Sequence, residues 1–204
     1  MNHFALRAFA LAAVLLAAPV AARADATPTA TVERLNTALL EVMKSAEELG
    51  YRGRFERLAP VLTEVFDFPA MAQATLGTHW SSIGTADQQA FTEAFADYSI
   101  GVFANRFDGY GGERFEVLGE EPARRRTVLV LNQIVKSDGE AIAINYLTRE
   151  QGNGEGWRIV DTILGGSYSE LATRRSEFTG IVERLGTYAL IQTLKDKISG
   201  FAGE

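Results

Sequence analysis

GWRIVDTILGGSYSELATRRSEF, residues 156 to 178, switches its period near its midpoint. Up to Leu164 the apolar residues run as a strand; after Ser167 they recur at helical spacing. Gly165 and Gly166 supply the sharp turn out of the strand. Ser167-x-x-Glu170 has the form of a capping box, in which the Ser hydroxyl takes the N–H of Glu170 and Glu170 reaches back to Ser167. A phosphate at this helix start is disfavoured, because a carboxylate already occupies the N-terminal donors. A nucleophile elbow requires G-x-S-x-G and a histidine partner, and GGSYS does not fit. Arg174 and Arg175 lie beyond reach of the cap, so they are expected to pair with carboxylates or to lay their stems on apolar surface. The stretch is thus a strand that hands over to a helix from about Tyr168 to Leu185, with Thr187 to Ile198 forming the last helix.

Working back from it, three more segments have period two: RFEVLGE (114–120), TVLVLNQIV (127–135) and AIAINYLTRE (141–150). SDGE (137–140) carries the Asp-Gly hairpin signal, and QGNGEG (151–156) is a longer turn. The spacing predicts four consecutive antiparallel strands. TVLVLNQIV is apolar on both faces, with Val128, Val130 and Ile134 on one and Leu129, Leu131 and Val135 on the other. A sheet with one wet face alternates apolar and polar, so both faces are expected to be covered.

The first half of the chain is helical. Val32, Leu35, Leu39, Val42, Met43, Ala46 and Leu49 mark a helix that Gly50 ends, and residues 25–31 read as a mobile lead. A second helix spans about Gly53 to Val65, with Pro60 expected to bend or split it. Asp67, Pro69 and Gly77 are the cap, first turn and end of a third. The fourth runs from Thr85 to about Phe107 and has two apolar stripes. One is Phe91, Phe95, Tyr98 and Val102; the other is Ile100, Phe103 and Phe107, on nearly the opposite side. Two stripes imply contact on two sides, either as a central core helix or as one that also lines a cavity. Gly101 inside it costs about 1 kcal/mol relative to Ala, and is expected to mark a bend or close packing.

The chain opens MNHFALRAFALAAVLLAAPVAARADA. Arg7, an apolar run too short to span a bilayer and Ala22-Arg23-Ala24 read as a secretory signal peptide over residues 1–24. Residues 25–204 then form a single domain. Removal of residues 1–24, with Arg7 and Arg23, lowers Lys+Arg from 20 to 18 against 26 Asp+Glu, a mature net charge of −8. That argues against a nucleic-acid partner. The chain has no cysteine and so neither disulfides nor a lipid-anchor site. The expected location is the periplasm, in soluble form.

Catalytic motifs are sparse. Of the two histidines, His3 belongs to the signal segment and His79 stands alone. No metal site and no cofactor are expected. Asp161 is the one acid in the middle of an apolar strand, either a perturbed general base or a carboxylate satisfied by Arg or backbone donors. Arg124-Arg125-Arg126 reads as a solvated turn or a docking patch for an acidic partner.

Three stretches together resemble the MlaC-type family, the toluene-tolerance and phospholipid-binding periplasmic proteins. They carry Phe66-Asp67-Phe68, Leu76-Gly77-x-x-Trp80, Phe91 and Phe95, and Tyr110-Gly111; then Trp157 and Asp161; then Ser169, Arg175 and Phe178. The resemblance covers about residues 32–199. Gly165-Gly166-Ser167-Tyr168-Ser169 is one residue longer than the Glu-Gly-Val-Ser common in the family and is similar to the hopanoid-associated HpnM branch. The resemblance implies an α+β, NTF2-like fold, with a four-stranded antiparallel sheet and several helices around an apolar cavity. It implies a monomeric, non-enzymatic carrier that holds phospholipid or hopanoid tails. Its partners would be an inner-membrane lipid transporter complex, as an auxiliary component of an ABC transporter, and an outer-membrane complex. The residues expected at the cavity are Met71, Phe95, Tyr98, Val102, Phe103, Val130, Ile144, Tyr146 and Ile163. The alternatives are an enzyme of the same cone-shaped fold, an isomerase or hydratase of an apolar substrate with Asp161 as acid/base, and an adaptor with a filled core.

Overall fold

The structure, a computed structural model, describes residues 27–152 and 156–202. The segment expected to be a signal peptide and part of the 151–156 turn therefore lie outside the described residues. Helix α1 (Pro28–Lys44) starts earlier than its apolar periodicity indicates, because the Thr27 hydroxyl caps Ala30 N–H and Pro28 fills the first turn. Much of the expected lead is thus helix. α2 (Ala46–Val65) follows across a break at Ser45 and contains Gly50 at φ 58°, the predicted stop. Pro60 does not split it: Gly50 is its one non-helical position. Pro60 and Glu56, whose carbonyl loses its helical donor, are both exposed, so water can satisfy that carbonyl.

α3 (Phe68–Leu76) is capped by Asp67, whose carboxylate accepts from Ala70 N–H at 3.1 Å and from Arg149 at 2.8 Å. A 3₁₀ turn (Gly77–Ser82) leads to α4 (Thr85–Arg106). The strands are β1 (Arg114–Pro122), β2 (Thr127–Val135), β3 (Ala141–Glu150), β4 (Trp157–Leu164) and β5 (Tyr168–Ser169); α5 (Glu170–Phe201) closes the chain, broken at Gly186. The sheet is antiparallel in the order β1-β2-β3-β4-β5. It has five strands, not four: the Gly165–Gly166 turn brings Tyr168 and Ser169 back onto Leu164 and Ile163.

That extra strand moves the helix cap. Ser169, not Ser167, caps α5, and its Oγ accepts from Ala172 N–H at 2.9 Å. The capping-box expectation is corrected accordingly, and Glu170 is free for other partners.

Register shifts beside Leu118 in β1 and at Leu147/Thr148 against β4 break the ladder in two places, and such bulges bend a sheet. Val130, Tyr146 and Ile159 are fully buried under the helices on one face. The second face does not meet the expectation of full cover among the described residues. Leu129, Leu131, Leu147 and Ile163 are half-buried and lie outside the core.

α4 has contact on two sides, as its two stripes predict. Phe91 and Phe95 meet Phe178 of α5 edge-on, with ring centroids 6.1 and 6.4 Å apart. Phe103 meets Phe66 at 5.4 Å. Arg54 of α2 is buried and donates to the Ala104 and Ala46 carbonyls at 2.8 and 3.2 Å, which ties α2 to the last turn of α4.

Gly101 marks close packing. A Cβ there would lie 2.8 Å from the Tyr51 hydroxyl, an oxygen that is buried without a hydrogen-bond partner. Gly101→Ala is expected to destabilise by about 1–3 kcal/mol through overpacking. Adding Tyr51→Phe should recover most of that loss, because it removes the clashing oxygen and Ala favours helix by about 1 kcal/mol. Urea unfolding of the two single variants and the double variant reads this coupling; additive losses would count against the contact.

Candidate functional site

Between α4 and strands β3 and β4 the helical layer does not close on the sheet. The inner cleft there has a volume of about 40 Å³ and is walled by Phe66, Phe68, Met71, Val102, Phe103 and Leu171. A second compartment of about 60 Å³ adjoins it and reaches Ile144, Tyr146 and Leu164. The two share Val102, Phe103, Arg106 and Thr162. Outside lies an open groove of about 350 Å³ between α4 and α5, which shares Val102, Arg106, Glu170 and Arg174 with the inner cleft.

At that junction Glu170 accepts from two guanidiniums. Arg106 Nη2 is 3.3 Å from Oε1, and Arg174 Nη2 is 3.4 Å from Oε2. Arg174 also stacks on Tyr98, 4.8 Å from the ring centroid, and Lys197 approaches the same ring at 5.6 Å while bonding Glu177 at 2.7 Å. An apolar interior therefore opens through a charged mouth.

Of the nine residues expected at the cavity, Met71, Val102, Phe103, Ile144 and Tyr146 line the inner compartments, and Tyr98 lines the outer groove. Phe95 and Val130 lie in the closed core. Ile163 is half-buried, pairs with Asn145 and Ser169, and is not part of the cleft wall. Arg106, Glu170 and Leu171 escaped sequence reasoning. The available signal was Arg106 following Val102 by four residues, on one side of α4.

Tyr146 is fully buried and its hydroxyl has no hydrogen-bond partner. Burial pushes its phenol well up, and the charge of Arg106 draws it back.

Asp161 is held in a different way. Its Oδ1 accepts from Thr162 N–H at 2.8 Å and Leu171 N–H at 3.0 Å, and its Oδ2 from the Ser169 hydroxyl at 2.6 Å. These bonds pin the first turn of α5 to β4, and Asp161 lines none of the three spaces. His79 sits on the 3₁₀ turn with Nε2 3.5 Å from Glu183. Among the described residues no group of three or more His, Asp or Glu is placed to hold a metal ion.

Fold and cleft together define an α+β protein built around an apolar interior with a charged entrance. The family model described as MlaC protein matches residues 33–196, and the chain belongs to that family. No curated protein matches significantly. Among solved structures the chain is similar to the phospholipid-binding protein from Ralstonia solanacearum, determined in complex with a phospholipid. The TM-score is 0.74 at 21% identity, over 88% of this chain and 99% of that one. The family points to a binding protein rather than an enzyme.

Burial raises the Asp161 carboxyl above the usual carboxylate range, with its three hydrogen bonds opposing the rise. A raised folded-state value means that its contribution to stability is complete below the unfolded value and declines as pH rises through the folded one. Asp161→Asn also leaves one of the donors unmet, at about 1–3 kcal/mol. The stability gap between the parent and this variant should therefore narrow from acid to neutral pH. Denaturant melts across that range check it; a gap that widens would contradict the assignment.

Proposed function

We propose that this protein is a lipid carrier that takes the tails of a phospholipid, or of a hopanoid, into the cleft between α4 and the sheet. The observation that carries the reading is an apolar cleft that opens past a charged mouth, in a chain of the MlaC family. The bound phospholipid of the Ralstonia solanacearum protein supports it. Burial of tail carbons supplies about 0.8 kcal/mol per CH₂, so a long chain can be held with few polar contacts.

The inner compartments, at about 40 and 60 Å³, fall short of the roughly 300–1,000 Å³ of ligand-sized pockets. Uptake of a tail thus requires α4 to part from β3 and β4. The Arg106–Glu170 contact that spans the mouth is a single bond of 3.3 Å to an arginine that is 54% exposed, so it opposes such a movement only weakly.

The expected signal peptide over residues 1–24 supports a shuttle in the periplasm, acting between an inner-membrane transporter complex and an outer-membrane complex. Among the described residues no helix is long and apolar enough to cross a membrane. Asp161 is committed to the start of α5 and lines neither inner compartment, which weighs against the acid/base role that an isomerase or hydratase reading gives it.

Native mass spectrometry of the mature protein purified without detergent, followed by solvent extraction, should find a stoichiometric phospholipid or hopanoid. Val102→Trp fills the space common to the cleft and the groove and should cut occupancy at least tenfold while the fold survives. Leu131→Trp, on the sheet face outside the core, should leave it unchanged. A clean protein mass with no uptake from vesicles would overturn the reading.

A further inference from the structure

Arg106, Glu170 and Arg174 stand at the junction of the outer groove and the cleft, because all three line both spaces. The three carry two positive charges and one negative. Arg174 has only 14% of its side chain exposed and is braced by Tyr98; Glu170 has 20% exposed. Arg106 is 54% exposed at the last turn of α4 and reaches the second compartment as well. Glu170 takes one hydrogen bond from each guanidinium, through one oxygen apiece. A guanidinium carries five N–H donors in a planar fork suited to bidentate bonds with phosphate, so most of this donor capacity is not used by Glu170.

We infer that Arg106 and Arg174 are the phosphate-reading residues of the carrier, and that Glu170 is the internal counterion a lipid phosphate displaces. The inference rests on the carrier reading above and adds the side chains that meet the lipid phosphate and the carboxylate that gives way to it. The anion is held by the two arginine forks and not by the α5 N-terminus, whose Leu171 N–H is already taken by Asp161 and Ala172 N–H by Ser169. The Glu170 carboxylate, which argued against an anion when placed in a capping box, instead pairs with both forks. With Glu170 neutralised by its neighbours, the mouth keeps a net charge of +1. Glu177 in the groove is compensated by Lys197 at 2.7 Å. A phosphate can make bidentate, charge-assisted bonds to both forks, where Glu170 makes one bond to each, and it occupies the junction where a lipid's head meets its tails.

The test is uptake from neutral vesicles doped with phosphatidic acid or with diacylglycerol of the same acyl chains, read by native mass spectrometry of the recovered protein. The parent protein should prefer the phosphate lipid at least tenfold, and the preference should shrink as salt is raised. Arg106→Gln, at an exposed site where folding is not at risk, should lower the preference several-fold. Arg106→Gln with Arg174→Gln should bring phosphatidic acid uptake down to the level of diacylglycerol uptake in the same variant. Glu170→Gln removes the competing carboxylate and should raise phosphatidic acid uptake several-fold. Equal uptake of both lipids by the parent, or an undiminished preference in Arg106→Gln, would overturn the inference and leave carriage standing. Uptake of neither lipid would overturn the carrier reading and this inference with it.

Discussion

Everything in this fold hangs on an aromatic helix that has to satisfy two neighbours. On one side of α4, Phe91 and Phe95 meet Phe178 of α5; on the other, Phe103 meets Phe66 at the sheet edge. Aromatic pairs in these geometries add about 0.5–1.5 kcal/mol each beyond the area they bury. α4 is therefore held at the α5 side by its first half and reaches toward the sheet with its second. Where Val102, Phe103 and Phe107 come opposite Ile144, Tyr146 and Leu164, the two layers touch without filling the space. The cleft is the residue of that compromise.

Polar anchors fix the edges of the opening. Asp161 gathers Ser169 and the Leu171 N–H, which sets the direction in which α5 leaves the sheet. Asp67 caps α3 and reaches across to Arg149 and Gln151, and its own N–H pairs with the Ile159 carbonyl of β4. Arg54 holds the far end of α4 through the Ala104 carbonyl. Each anchor is a buried or half-buried polar group that meets donors or acceptors of another element, and such groups are costly to leave unmet. The Arg106–Glu170–Arg174 group stands at the opening itself, where single bonds of 3.3 and 3.4 Å leave most of the guanidinium donors unused.

Much of this was legible in the residues. Strands β1 to β4, the Asp67–Pro69 start and Gly77 end of α3, and the two-sided character of α4 follow from period and punctuation, because those signals act within a few residues. The start of α5 was misplaced for a physical reason: Ser167 and Ser169 both satisfy local capping chemistry. The choice between them came from the pairing of Tyr168–Ser169 with β4 and from Asp161, partners brought together by the sheet. Local rules count the hydrogen bond lost at Pro60 and so predict a bend or a split; exposure of the freed carbonyl is a tertiary fact. The second sheet face was expected to be covered because apolar alternation cannot say which layers the chain has to spare.

The candidate site divides in the same way. Apolar residue types at strand and helix positions were enough to nominate Val102, Phe103, Ile144 and Tyr146; Ile144 and Tyr146, two apart on β3, share a face, whereas Val102 and Phe103 come from the two different stripes of α4. Phe95 and Val130 satisfy the same pattern but are sealed in the core, because periodicity gives a face and not a depth along the layer. Arg106, Glu170 and Arg174 could not be assembled from sequence, where 64 residues separate the first two. The sequence by itself determined the class of fold, the two-sided helix and the absence of disulfide chemistry, all set by local pattern and composition. Only the tertiary structure decided where the layers fail to close and which charges meet at that opening, because both depend on contacts between segments that no local rule connects.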